Sequence, residues 1–84
     1  MRILHIVRDL KDARALAMAA AQASEYEVSL LLLHEAAGGT PTFPGAVYTC
    51  RDDALHLGRE PGPGALDYRQ IVDLLEAHDK VICW

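Results

Sequence analysis

The sequence predicts a three-layer α/β/α domain built on a mainly parallel sheet of about five strands. Three observations carry this. Short apolar runs alternate with helical patterns along the whole chain, the βα rhythm of parallel sheets. The second run, Val28 to Leu33, is apolar at nearly every position, whereas a strand exposed on one face would alternate; it is therefore central and covered on both sides. Eighty-four residues hold only a single small domain, residues 1–84, which buries roughly 60–65% of its unfolded surface.

Ile3 to Val7, rich in branched residues and ended by Arg8-Asp9, reads as the first strand. Asp9 or Asp12 then caps a helix running to Ser24, with Ala13, Leu16, Ala17, Ala20 and Ala23 on one face. Its alanines favour helix and allow close packing on a sheet. Val28–Leu33 follows as a strand. Residues 36–45 (Ala-Ala-Gly-Gly-Thr-Pro-Thr-Phe-Pro-Gly) have no helical period and read as a loop with at most one helical turn. A parallel crossover needs about a dozen residues, which this segment barely supplies. Ala46 to Cys50 is the third strand, and Arg51 to Leu57 is a two-turn helix stopped by Gly58. Arg59 to Gly64 is a loop by composition, and Ala65-Leu66 adds a short strand. Asp67 caps a helix whose stripe is Tyr68, Ile71, Val72, Leu74 and Leu75, ending near His78-Asp79; Lys80 to Trp84 is the last strand.

Hydrophobic residues make up 51% and charged residues 24% of the chain, a globular balance that argues against disorder. The net charge of −4, with no Lys/Arg cluster, argues against direct nucleic-acid binding, which needs a basic face. The longest apolar run is too short to span a bilayer, and Met1-Arg2 leads into a strand rather than a signal peptide. Two cysteines in that context read as free thiols of a cytoplasmic protein; a Cys50–Cys83 disulfide has no support from spacing alone.

Ligands of open α/β sheets collect at the carboxyl ends of the strands. The residues expected there are Arg8 and Asp9, His34 and Glu35, Cys50 and Arg51, and Trp84. Cys50 stands where a strand hands over to a helix, whose free N–H groups and the adjacent Arg51 favour a thiolate. Asp52 and Asp53 oppose this by like-charge repulsion, so the sign of the net shift stays open, and the plainer reading of Cys50 is packing at a strand end. Cys83 is expected to be a buried strand residue. Of the four histidines, His5 is expected at the edge of the core, His56 and His78 on solvated helix positions, and His34 near a ligand. No His-x-x-x-His or Cys-x-x-Cys occurs, so no zinc site is expected, and neither a phosphate loop nor a nucleotide fingerprint points to a cofactor. Asp52-Asp53 fits a helix first turn better than a catalytic dyad.

The chain also resembles a known family. Leu4-His5-Ile6-Val7, the stretch from Val47 through Cys50-Arg51-Asp52-Asp53 to Gly58, and the closing pattern from Asp67-Tyr68 to His78-Asp79-Lys80-Val81-Ile82-Cys83-Trp84 are similar to the DsrE/DsrF/DsrH sulfur-relay proteins, with the DsrH/TusB branch nearest. The resemblance covers nearly the whole chain. It implies a five-stranded parallel sheet and assembly as a homo-oligomer, or a hetero-oligomer with DsrE/DsrF (TusD/TusC)-like subunits. It further implies passage of sulfane sulfur between persulfide donor and acceptor proteins, towards 2-thiouridine in tRNA or within sulfur oxidation. In the carrier branch the persulfide cysteine ends a strand before a helix closed by Gly, and Cys50 before Gly58 is similar. The DsrH/TusB branch commonly has an aliphatic residue there and serves as a partner subunit. Cys50 is thus the candidate persulfide carrier, Arg51 the candidate thiolate stabiliser, and Arg8 and His34 candidate binding residues. Relatives often show a Gly-Val-aromatic turn and a short helix where residues 36–45 are Gly/Pro-rich. A carrier, a non-catalytic assembly subunit and a small-molecule-binding module with its ligand over Arg8, His34 and Arg51 all remain compatible with these residues.

Overall fold

A computed structural model describes residues 1–84. Five parallel strands, β1 (Arg2–Val7), β2 (Glu27–Leu32), β3 (Ala46–Cys50), β4 (Ala65–Leu66) and β5 (Lys80–Cys83), lie in the order β4-β3-β2-β1-β5. The helices are α1 (Ala13–Gln22), α2 (Arg51–His56) and α3 (Tyr68–Glu76), with a 3-10 turn at His34–Gly38. The expected α/β class is therefore found, with every strand pair parallel.

Side chains alternate across a strand, so β1 and β2 supply two cores. Ile3 and Val7 stand beside Val28 and Leu32 and pack under Ala15 and Ala19 of α1, where small side chains let the helix approach closely. Ala36 of the 3-10 turn joins the same core. Leu4, Ile6 and Leu31 face the other way, against Ile71, Leu74 and Leu75 of α3. The chain steps outward from β1 to β4 and then returns beneath the sheet through α3 to β5, on the far side of β1. The central strands β1 and β2 are buried throughout except at their first residues, as the unbroken apolar run of β2 predicts.

Local chemistry explains the element ends. Asp12, not Asp9, caps α1, its Oδ1 accepting the Ala15 N–H at 3.3 Å, while Asp9 Oδ1 accepts the Lys11 N–H. Asp67 and Gln70 form a reciprocal capping box on α3 (2.8 and 2.9 Å). Gly58, at φ +75°, takes the left-handed position after α2 that a side chain would oppose.

Five details depart from expectation. α1 ends at Gln22, two residues early, because Ala23 to Tyr26 turn the chain into β2. The helical turn of the β2–β3 crossover begins at His34 and closes at Gly38, so the Gly/Pro segment after it runs without regular structure. Cys83 is exposed rather than buried, since β5 is an edge strand. His78 is not a solvated position: its Nδ1 lies 2.7 Å from the Leu74 carbonyl, and its Nε2 is buried without a partner. His5, expected at the core edge, is fully buried within it.

Candidate functional site

The carboxyl ends of the five strands carry the residues with chemistry, in two separate places. The first surrounds Cys50, the last residue of β3 and the N-cap of α2, with φ −68° and ψ 117°. Its side chain is 2% exposed, and it lines none of the molecule's cavities. Burial pushes the thiol above its ordinary value of 9.0, because the thiolate would lose its hydration. The Asp53 amide pulls the other way, the Asp53 carboxylate adds to the rise, and the Asp52 amide offsets part of it. Desolvation wins, so the resting form is the neutral thiol. Arg51 is exposed at the first position of α2 and forms no hydrogen bond or ion pair. Cys83 cannot reach Cys50: β2 and β1 stand between their strands, about 14 Å at the usual inter-strand spacing, and both thiols are free.

Two neighbours of Cys50 were not legible as site residues in the sequence. Tyr68 opens α3 and is 62% exposed; its phenol is pushed up by the Cys50 sulfur first and by Asp52 next. Only tertiary folding brings residues 50 and 68 together. Asp53 is a first-turn carboxylate, as its position indicates, but its Oδ2 also accepts the His34 N–H at 2.7 Å and so ties α2 to the end of β2. His34 itself has φ +51°, a left-handed backbone that costs a non-glycine residue about 1–2 kcal/mol. Asp53 supplies the bond that holds it there.

The second place is a cleft of about 500 Å³ over the ends of β1 and β2, beside Trp84. Arg8, Lys11 and His34 line it together with Asp9, Asp12 and Glu35. Trp84 forms a fixed wall. Its N–H donates to the Ile6 carbonyl at 3.0 Å, and its own carbonyl accepts from Arg8 Nε at 2.7 Å. Its indole N–H donates to His5 Nδ1 at 2.9 Å, with the two rings 17° apart in plane. That bond makes Nδ1 an acceptor and leaves the proton on Nε2, which donates to Gln22 Oε1 at 2.5 Å. Arg8 and His34 therefore share one cleft, while Cys50 and Arg51 lie outside it.

A second cavity, about 260 Å³, sits on the α1 side of β3 and β4, between the loops at Gly39–Pro41 and Arg59–Gly64. Arg59 Nη1 donates to the Gly38 carbonyl at 2.5 Å and joins those loops. No group of three or more His, Cys, Asp or Glu side chains is arranged to hold a metal ion, and no helix is long and apolar enough to cross a membrane.

No family model matches the chain, and no curated protein matches it. A search of solved structures finds the crystal structure of the ychN protein from E. coli, with a TM-score of 0.68 over 99% of this chain and 97% of that one, at 18% sequence identity. A likeness of that kind carries the fold. The chain thus shares the α/β fold of that protein, built on an all-parallel five-stranded sheet.

Proposed function

We propose that this chain is a sulfur-relay protein of the DsrH/TusB type, and that within the relay it serves as a partner-binding subunit rather than as the carrier. The observation that supports this role is the state of Cys50: enclosed, neutral and away from every cavity, it has neither the exposure nor the thiolate character of a transfer residue. The partners on this reading are subunits of the same fold, of the DsrE/DsrF (TusD/TusC) kind, in an oligomer. The helix available to them is α3, which packs on the sheet yet buries none of its residues fully and leaves Tyr68 and Val72 open. The test is co-expression of the tagged chain with DsrE- and DsrF-like subunits. A stoichiometric complex whose sulfur flow survives Cys50→Ser is the expected result; loss of sulfur flow with the complex intact overturns the partner role.

One feature favours a carrier as the second reading. Cys50 occupies the N-cap of α2, where the Asp52 and Asp53 amides already offset part of its burial. In that chemistry the Cys50 thiolate attacks the outer sulfur of a donor persulfide. The donor S–S bond breaks, the donor leaves as a thiolate, and Cys50 keeps the sulfane sulfur as its own persulfide, with Arg51 beside the anion. Mass spectrometry after incubation with a persulfide donor reads this directly as one added sulfur at residue 50.

A further inference from the structure

We infer that the outer face of α1 is a homotypic interface: two copies of the chain pack α1 against α1, antiparallel about a two-fold axis, with Arg14 of each copy beside Glu25 of the other. A solvated helix carries polar and charged side chains opposite its core stripe. α1 does not. Ala15 and Ala19 are buried against the sheet, while Ala13, Arg14, Ala17, Met18, Ala20 and Ala21 are exposed, and Arg14 is the one charge among them. α3 is the contrast, since its exposed positions include Arg69, Asp73 and Glu76. Met18 leaves 47% of its surface in solvent. The α1 face is separate from the α3 face assigned above to DsrE- and DsrF-like subunits, because the two helices cover opposite sides of the sheet.

Charge along this face selects a second copy as the occupant. Side chains at successive steps of three and four residues line up along a helix, and Arg14, Met18, Ala21 and Glu25 form such a ridge. The Glu25 and Tyr26 amides both donate to the Gln22 carbonyl, which carries the helical course past the end of α1 to Glu25. Read in the opposite direction, the ridge complements itself. In an antiparallel pair centred between Met18 and Ala21, each Met18 lies over Ala21 of the second copy and each Arg14 meets Glu25, so every contact occurs twice, as an isologous interface requires. Ala17 and Ala21 let the two helices approach closely, and the flexible Met18 fills the gap between them. The two charges are also misplaced for a solitary chain. Arg14 stands in the first turn of α1, where an anion is favoured, and Glu25 lies just beyond its last turn, where a cation is favoured. The single salt bridge joins Arg2 and Glu27, so both Arg14 and Glu25 are unpaired ions. An antiparallel copy sets each beside its opposite. Exposed pairs of this kind fix register more than affinity.

The test is analytical ultracentrifugation of the purified chain alone from about 10 µM to 1 mM, the range suited to a small interface. A concentration-dependent dimer is expected. Arg14→Glu and Glu25→Arg each turn two attractive contacts into two repulsive ones and should weaken the dimer about tenfold or more. Each reversal also agrees with the dipole of α1, so the unfolding midpoint of the dilute variant should not fall, and a lost dimer is then not a lost fold. The double variant Arg14→Glu/Glu25→Arg should dimerise again. An equimolar mixture of the two single variants should form a mixed dimer, in which opposite charges face each other at both ends. Val72→Glu, on the other side of the sheet, should leave the dimer intact, so its effect on a DsrE/DsrF-like complex is read separately. A chain still monomeric at about 1 mM overturns the assignment. So does a dimer indifferent to both reversals, failure of the double variant or the mixture to associate, or a dimer abolished by Val72→Glu.

Discussion

At the scale of single residues, solvent access divides the two thiols. Cys83 lies open on the edge strand and Cys50 is enclosed, so a thiol reagent should titrate one group quickly and the second only on unfolding. Peptide mapping should place the fast label on Cys83; rapid labelling of Cys50 would contradict the buried geometry. The raised Cys50 value also sets a pH dependence. The folded chain keeps this proton where the unfolded chain has begun to release it, so the stability from the neutral thiol is complete below the ordinary value of 9.0 and declines as pH rises past it. Between about pH 8 and pH 10, the urea midpoint of the native chain should fall more than that of Cys50→Ala. His5 and Trp84 form the other residue-scale unit. Trp84→Phe keeps the ring but deletes the N–H, leaving a buried imidazole nitrogen without its donor. The expected cost is about 1–3 kcal/mol in chemical denaturation.

At the scale of elements, caps and close approaches decide stability. Asp67→Ala removes the capping box of α3 and should cost about 1 kcal/mol. Gly45 precedes β3 so closely that a Cβ there would run into the Val28 carbonyl, so Gly45→Ala must push β3 off β2 and should lower the midpoint further than the cap mutation. Most elements were legible because their signals are local: branched runs for β1 and β2, Asp67 ahead of an apolar stripe for α3, Gly58 after α2. The 3-10 turn was legible as one helical turn, but its start at His34 was not, because it depends on an Asp53 carboxylate from another element. Cys83 was misjudged for a related reason: Lys80 to Trp84 reads as a strand, but its sequence does not tell an edge from a centre. The candidate site was legible as strand-end positions only. That Arg8 and His34 share a cleft while Cys50 lies apart follows from sheet order and from which face each side chain takes.

At the scale of the whole molecule, one nine-residue helix must cover the α3 side of a five-stranded sheet, and it leaves Val72 and Val81 about half open. If assembly uses this side, Val72→Glu should leave the isolated chain's unfolding midpoint within about 0.5 kcal/mol, as exposed substitutions usually do. It should nevertheless weaken co-purification of a DsrE/DsrF-like partner. A complex insensitive to Val72→Glu would move the interface elsewhere. The sheet order has one more consequence, in time rather than space. Ile3 pairs with Lys80, so the central strand gains its second neighbour from residues far along the chain, whereas its pairing with β2 is much nearer in sequence. Closing so distant a ladder carries a large entropic penalty and slows folding. Docking of β5 should thus be the late event of folding, with the outer edge of β1 unpaired until it happens.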